Sequence, residues 1–290
     1  CGIQTESSGK LRVVASFYPI YDLAHKIGRD KIELVNMLPA GAEVHHWEPA
    51  PRDMAALEQS DVFLYNGLGM EHWVEDILEA IQTENLLVVE TAKNVFLLPS
   101  DDGHAEKHGN EDGHNHGAYD PHTWLSPQNA KKQMENIKNV LMKADPDNAE
   151  TYEANYAHYA KQFDELDLEF QTALAEVSKR DVVVTHRAFA YLCHAYGLRQ
   201  IGLEGVSHDS EPSPDQLRES IQFIQENDVT TVFYEQSGNA TTATTIARET
   251  GVKIASLSTL EFLTSEQQAA GDDYFSIMRQ NIAALKEALQ

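Results

Sequence analysis

DPDNAETYEANYAHYAKQFDELDLEFQTALAEVSKRDVVVT, residues 145–185, reads as one long helix that runs into a strand. Asp145-Pro146 is a start signal, with Asp as N-cap and Pro in the first turn. Tyr152, Tyr156, Tyr159, Phe163, Leu166, Phe170, Leu174 and Val177 then recur every three or four residues, which is a single apolar stripe on one helix. No glycine interrupts 146–178, so the spacing predicts a helix on the order of 50 Å long at ~1.5 Å per residue. Working outward, strand-like apolar runs alternate with helical periodicity on both sides. Before the helix they lie at 11–17, 32–38, 61–65 and 86–90; after it, at 181–185, 199–203, 230–234 and 253–257. This alternation is the signature of an α/β fold with parallel sheets. The expected architecture is two lobes, each a four-stranded, mainly parallel sheet flanked by helices, bridged by one long rigid helix. The expected boundaries are 1–10 for a polar tether, 11–144 for the first lobe, 145–179 for the linker helix and 180–290 for the second lobe.

Composition narrows the function. The 290 residues suit two domains of ordinary size, and 42% are hydrophobic, as in globular chains. No apolar run approaches the ~18–20 residues of a membrane-spanning helix. The formal net charge is -24, from 22 basic and 46 acidic side chains. Such a surface repels phosphate backbones, which argues against a nucleic-acid partner, and it concentrates cations. Its plainer reading is solubility. The two cysteines, Cys1 and Cys193, make neither a disulfide framework nor a cysteine-rich zinc site. Cys193 sits in an apolar helical stretch and reads as a buried free thiol. Cys1-Gly2 followed by polar residues to Lys10 resembles a mature bacterial lipoprotein, lipidated at Cys1. An arbitrary chain boundary is the other reading.

One segment breaks the α/β pattern. Residues 99–117, PSDDGHAEKHGNEDGHNHG, carry no apolar side chain larger than Ala and read as a solvated, mobile insertion. His104, His108, His114 and His116 stand among its carboxylates. Their spacing matches no rigid finger, so a weak zinc site is expected, because a flexible loop loses entropy on binding.

Three other histidines fall at the carboxyl ends of strand candidates, where open α/β sheets bind ligands. His45 lies in GAEVHHWEPAPRD, His122 in YDPHTWLSP, and His186 directly after DVVVT. Glu261 follows KIASLS after Thr259-Leu260. Three imidazoles and a carboxylate suit the four-coordinate geometry of Zn(II). Each ligating imidazole needs an acceptor for its second nitrogen, and Glu48 and Asp120 lie close in sequence. Glu235, at the end of TTVFYEQ, is a further supporting or alternative ligand. Trp47 and Trp124 read as walls of the site. His25, His158 and His194 read as packing or surface residues, and His72 and His208 as loop residues.

HHWEPAPRD, DPHTWLSP, THRAFAYLCHAYGL, EPSPDQL and GDDYFSIMRQNIAAL resemble the signature segments of the metal-binding receptor lipoproteins of bacterial ABC transporters, the zinc and manganese group. The resemblance runs from about Leu11 to the C-terminus. It implies two α/β lobes bridged by a long helix, with metal between the lobes. It implies His45 as first ligand, with His46 as a competitor, and His122 as second. The third position is His in zinc members and typically Glu in manganese members, and here it is His186. The fourth, acidic position matches Glu261 best, with Asp272 and Asp273 as rivals.

The function so implied is an extracytoplasmic zinc-binding receptor, anchored to the cell membrane only by its lipid, that captures Zn(II) and hands it to the permease of an ABC-type zinc importer. A monomer is expected, with no catalysis and small local motions on binding. A manganese or broad-specificity divalent-metal receptor is the nearest alternative, since nitrogen-rich sites also take other divalent ions. A surface adhesin and a zinc hydrolase are the alternatives of other classes. Four protein ligands would close the position a catalytic water needs, and neither HExxH nor GxSxG occurs.

Overall fold

The structure, a computed structural model, describes residues 9–81, 85–100, 118–203, 213–235 and 240–290. Cys1, His208 and the four insertion histidines, His104, His108, His114 and His116, lie outside the described residues. The chain divides into two compact units. The first comprises Cys1–Val95, Ser100–Pro121 and Ala130–Lys161; the second comprises Phe96–Pro99, His122–Asn129 and Gln162–Gln290.

In the first unit, β1 (Leu11–Ala15), α1 (Tyr18–Gly28), β2 (Ile32–Asn36), α2 (Pro51–Glu58), β3 (Val62–Tyr65), α3 (Val74–Ala80) and β4 (Leu87–Glu90) follow in order. All three strand pairings are parallel, in the spatial order β2-β1-β3-β4. Val14, Met37, Leu57, Phe63, Trp73, Val74 and Ile77 form a buried cluster in this unit. The order reverses between β1 and β3, and a buried carboxylate sits at the carboxyl end of that pair. Glu71 accepts from Ser16 Oγ (2.6 Å), Asn66 N (2.8 Å) and Gly67 N (3.0 Å).

Burial pushes the Glu71 carboxyl above its ordinary value, and the three hydrogen bonds pull it back only in part. An acid with a raised folded pKa holds its proton more tightly folded than unfolded. Its contribution is therefore most favourable below the ordinary carboxylate range and is lost as pH rises through the raised value. Glu71→Gln removes that titration. In metal-free protein, the stability of wild type relative to this variant should fall as pH rises from the ordinary carboxylate range toward neutrality. Urea unfolding across that range checks it, and a difference that stays constant with pH would refute it.

Two long helices follow, α4 (Pro127–Ala144) and α5 (Ala149–Leu174). The 26 residues of α5 span about 39 Å at ~1.5 Å per residue. Tyr152, Tyr159, Phe163, Leu166, Phe170 and Leu174 of the expected stripe are buried, and Tyr156 is half-buried. The helix is shorter than the sequence suggests at both ends. Asp145 does not cap a helical N–H; its carboxylate accepts from Asn148 Nδ2 (2.8 Å) and the Tyr152 hydroxyl (2.6 Å), and Pro146–Asn148 form a 3-10 turn. At the other end, the Arg180 guanidinium donates to the carbonyls of Leu174 and Ala175, both at 2.9 Å, and closes the helix there.

In the second unit, β5 (Asp181–Val184), α6 (Ala190–Ala195), β6 (Arg199–Gly202), α7 (Pro214–Glu226), β7 (Thr231–Glu235), α8 (Thr241–Thr250), β8 (Lys253–Leu257), α9 (Ser265–Ala270) and α10 (Tyr274–Leu289) follow. The sheet repeats the first, parallel throughout in the order β6-β5-β7-β8. Two parallel four-stranded sheets flanked by helices, with one long helix, are thus the fold expected from the alternation of runs. The expected EPSPDQL segment starts α7 through a reciprocal cap. Ser213 Oγ accepts from Gln216 N, and Gln216 Oε1 accepts from Ser213 N. Cys193 is buried as expected, and desolvation pushes its thiol up to about 12, so it stays protonated at neutral pH. Among the described residues, no helix is long and apolar enough to cross a membrane.

Candidate metal centre

His186 stands two residues beyond β5, Glu235 is the last residue of β7, and these neighbours meet where the strand order of the second sheet reverses. The Thr185 N–H donates to the Phe233 carbonyl (3.0 Å), which carries the β5–β7 ladder up to His186. The His186 ring then places Nδ1 at 2.7 Å from Glu235 Oε2. Glu235 is 3% exposed, and its other oxygen, Oε1, accepts from Thr259 Oγ1.

Glu261 lies beyond β8 on a loop held by α10. The Asn281 side chain grips Ser258 twice, accepting from its N–H and donating to its carbonyl, each at 2.9 Å. Leu260 adopts a left-handed φ of 63°, and its N–H donates to Ser258 Oγ (3.2 Å). A non-glycine residue in that region costs about 1–2 kcal/mol, and such strain collects at functional sites. The turn leaves Glu261 2% exposed.

His122 opens a 3-10 turn, Thr123–Leu125, and its carbonyl accepts from Leu125 N at 3.3 Å. The ring is buried, 5.5 Å from the Trp124 ring and 5.4 Å from that of His186, centroid to centroid. His122 Nε2 lies 3.6 Å from Glu261 Oε1. A metal at about 2.1 Å from each of four tetrahedral ligands sets them about 3.4 Å apart. The His122–Glu261 spacing is therefore that of two corners of one coordination shell.

His45 lies in the loop after β2. Glu43 shapes that loop: its carboxylate accepts from His45 N (2.9 Å), His46 N (3.0 Å) and the His46 ring at Nδ1 (2.8 Å). The His46 side chain is 55% exposed and committed to Glu43, whereas His45 Nε2 is buried. One ligand atom from each of His122, His186 and Glu261, all in the second unit, lies within 4.8 Å of those of the other two, so this group could hold one metal ion.

The other candidates fall elsewhere. Asp272 accepts from Ser276 Oγ, and Asp273 caps α10 through Ser276 N. Glu48 is exposed and Asp120 is buried; the carboxylate seen on a candidate imidazole, that of His186, is Glu235. Trp47 packs edge-on against Trp73 in the first unit's core. Trp124 does more than wall the site, because its indole Nε1 donates to the Thr259 carbonyl at 2.7 Å. His25, His72, His158 and His194 are exposed, His194 being stacked on Phe96. Thr259, Glu43 and Asn281 were not legible as site residues, since their partners are set by the tertiary fold.

The family described as ZnuA, zinc-uptake complex component A, periplasmic, matches residues 13–288. The chain is 37% identical over 288 residues to the high-affinity zinc uptake system protein ZnuA of Bacillus subtilis, covering 99% of this chain and 90% of that protein. It is 34% identical over 288 residues to the zinc-binding lipoprotein AdcA of Streptococcus pneumoniae, covering 99% of this chain but 57% of that protein. The chain therefore spans little more than half the length of that relative. The crystal structure of Zn(II)-bound AdcA from the same organism superposes with a TM-score of 0.85 at 33% identity, over 97% of this chain and 58% of that one.

Proposed function

The chain belongs to the ZnuA family of zinc-uptake complex components, and from that premise we propose that it is an extracytoplasmic receptor that captures Zn(II) and delivers it to the permease of an ABC-type importer. The observation that carries this reading is the convergence of His122, His186 and Glu261 within the second unit, to which the reading adds His45 of the first unit as a fourth ligand. These four are the zinc ligands in this reading. Three neutral imidazoles and one carboxylate are borderline ligands in the number and kind that Zn(II) prefers, and the set favours it over Mn(II). Because all four corners are protein ligands, the site binds and releases an ion and is not catalytic. The zinc names of the Bacillus and pneumococcal relatives support the cargo.

The domain plan goes with this reading. Each sheet forms the centre of one metal-binding lobe, 11–144 and 180–290, and 145–179 is a stiff linker that limits the motion on binding. The lipoprotein name of the pneumococcal relative supports anchoring to the cell membrane through a lipid on Cys1. The receptor acts as a monomer, and His104, His108, His114 and His116 collect zinc weakly.

His186 is the residue that sets the choice of ion. Competition titration of Zn(II) against Mn(II) on wild type and His186→Glu tests this directly. Wild type should prefer zinc, and the variant's preference should move toward manganese by at least about tenfold, or ~1.4 kcal/mol. Equal preferences in the two proteins would sink the assignment.

A further inference from the structure

Three ligand-bearing segments of the second unit are joined by hydrogen bonds that all pass through one residue. Thr259 Oγ1 donates to Glu235 Oε1, and Glu235 Oε2 faces His186 Nδ1 at 2.7 Å. The Thr259 carbonyl accepts from Trp124 Nε1 at 2.7 Å, two residues after His122. Thr259 itself stands two residues before Glu261. The Trp124 carbonyl in turn accepts from the Tyr274 hydroxyl at 2.7 Å, which ties the relay to α10. Trp124 and Tyr274 are 0% exposed, Thr259 2% and Glu235 3%.

We infer that Thr259 is a positioning residue that holds His122, His186 and Glu261 in register before the ion arrives, and that through Glu235 it sets which nitrogen of His186 meets the metal. The chemistry runs in one direction. An indole nitrogen only donates, so the Trp124–Thr259 bond fixes the carbonyl side of Thr259. The Thr259 hydroxyl donates to one oxygen of Glu235, which orients the carboxylate with its other oxygen toward His186. A carboxylate has no proton to give, so the facing Nδ1 carries the hydrogen and Nε2 presents its lone pair. A free imidazole would divide between its two tautomers; this one is committed. Because Trp124, Thr259, Glu235 and Tyr274 are buried, departures from this geometry leave a polar group unpaired in a dry interior and are costly.

The inference rests on the zinc-receptor reading for its consequence, and its test separates the two. Nitrogen-15 NMR of the metal-free wild-type chain at neutral pH should show His186 in the Nδ1–H tautomer. Thr259→Val, which keeps the shape and removes the hydroxyl, should mix the tautomers and weaken zinc binding by about 10–100-fold. Thr259→Ala should act in the same way. Thr259→Ser, which keeps the donor, should restore zinc affinity to within about tenfold of wild type. A wild-type His186 in the Nε2–H form overturns the inference without any variant. So does a Thr259→Val chain with wild-type tautomer and affinity. Failure of the wild-type chain to bind zinc would instead strike the receptor reading, while the tautomer of the metal-free protein still reports on the relay.

Discussion

His122→Ala is expected to lower zinc affinity by more than about 100-fold. Losing a residue that merely supports a ligand typically costs about 10–100-fold, so losing a ligand exceeds that range. The environment of His122 adds to the effect. Its ring is buried between Trp124 and His186, and its Nε2 lies 3.6 Å from Glu261 Oε1. With the imidazole gone, Glu261 keeps a 2%-exposed carboxylate that a weakly held ion neutralises poorly. Isothermal titration with zinc on metal-free protein reads the loss. Replacing His104, His108, His114 and His116 with Ala in both backgrounds separates any weak binding by the insertion. If His122→Ala retained affinity within about tenfold of wild type, or ~1.4 kcal/mol, the tight site would lie elsewhere.

The parts of this molecule that were legible in sequence are those encoded locally. Strand runs such as DVVVT and the helical stripe from Tyr152 to Leu174 carry their own periodicity, and the observed strands fall within the expected runs except that β7 ends one residue later, at Glu235. The candidate loops were singled out because His45, His122 and His186 sit in compact motifs. What stayed hidden depends on partners far apart in the chain. Trp124 reaches Thr259 across 135 residues, Thr259 reaches Glu235 across 24, and Asn281 reaches Ser258 across 23. No spacing rule flags a threonine whose hydroxyl and carbonyl serve two different loops. The choice between His45 and His46 was hidden for a related reason. It is Glu43 that takes the His46 ring, and an acidic residue three positions earlier is an ordinary feature of an exposed turn. The start of α5 was misplaced because Asp145 spends its carboxylate on Asn148 and Tyr152, a preference visible only once the turn is built.

Phe163→Ala should cost about 3–5 kcal/mol of stability in the metal-free protein, the range for deleting a fully buried phenyl ring. Phe163 lies in the part of α5 that belongs to the second unit and is 0% exposed. Its ring packs 4.8 Å from Phe275 and 5.3 Å from Tyr274, centroid to centroid. Those rings are at the start of α10 and well buried themselves, so collapse cannot fill the space without moving the helix. Thermal unfolding should show a drop of roughly 5–8 °C for a chain of this size. The cavity also borders the relay, because Tyr274 is the residue that holds the Trp124 carbonyl. Zinc binds only the folded site, so zinc at 100 times its Kd should return about 2.7 kcal/mol to either protein. If the variant recovers as much as wild type at the same free zinc, the cavity has cost packing and left the ligands in register. Recovery much smaller than that at the same free zinc would mean that Phe163 supports the site through Tyr274. A loss below about 1 kcal/mol would refute the packing itself, since a ring enclosed on all sides cannot be removed so cheaply.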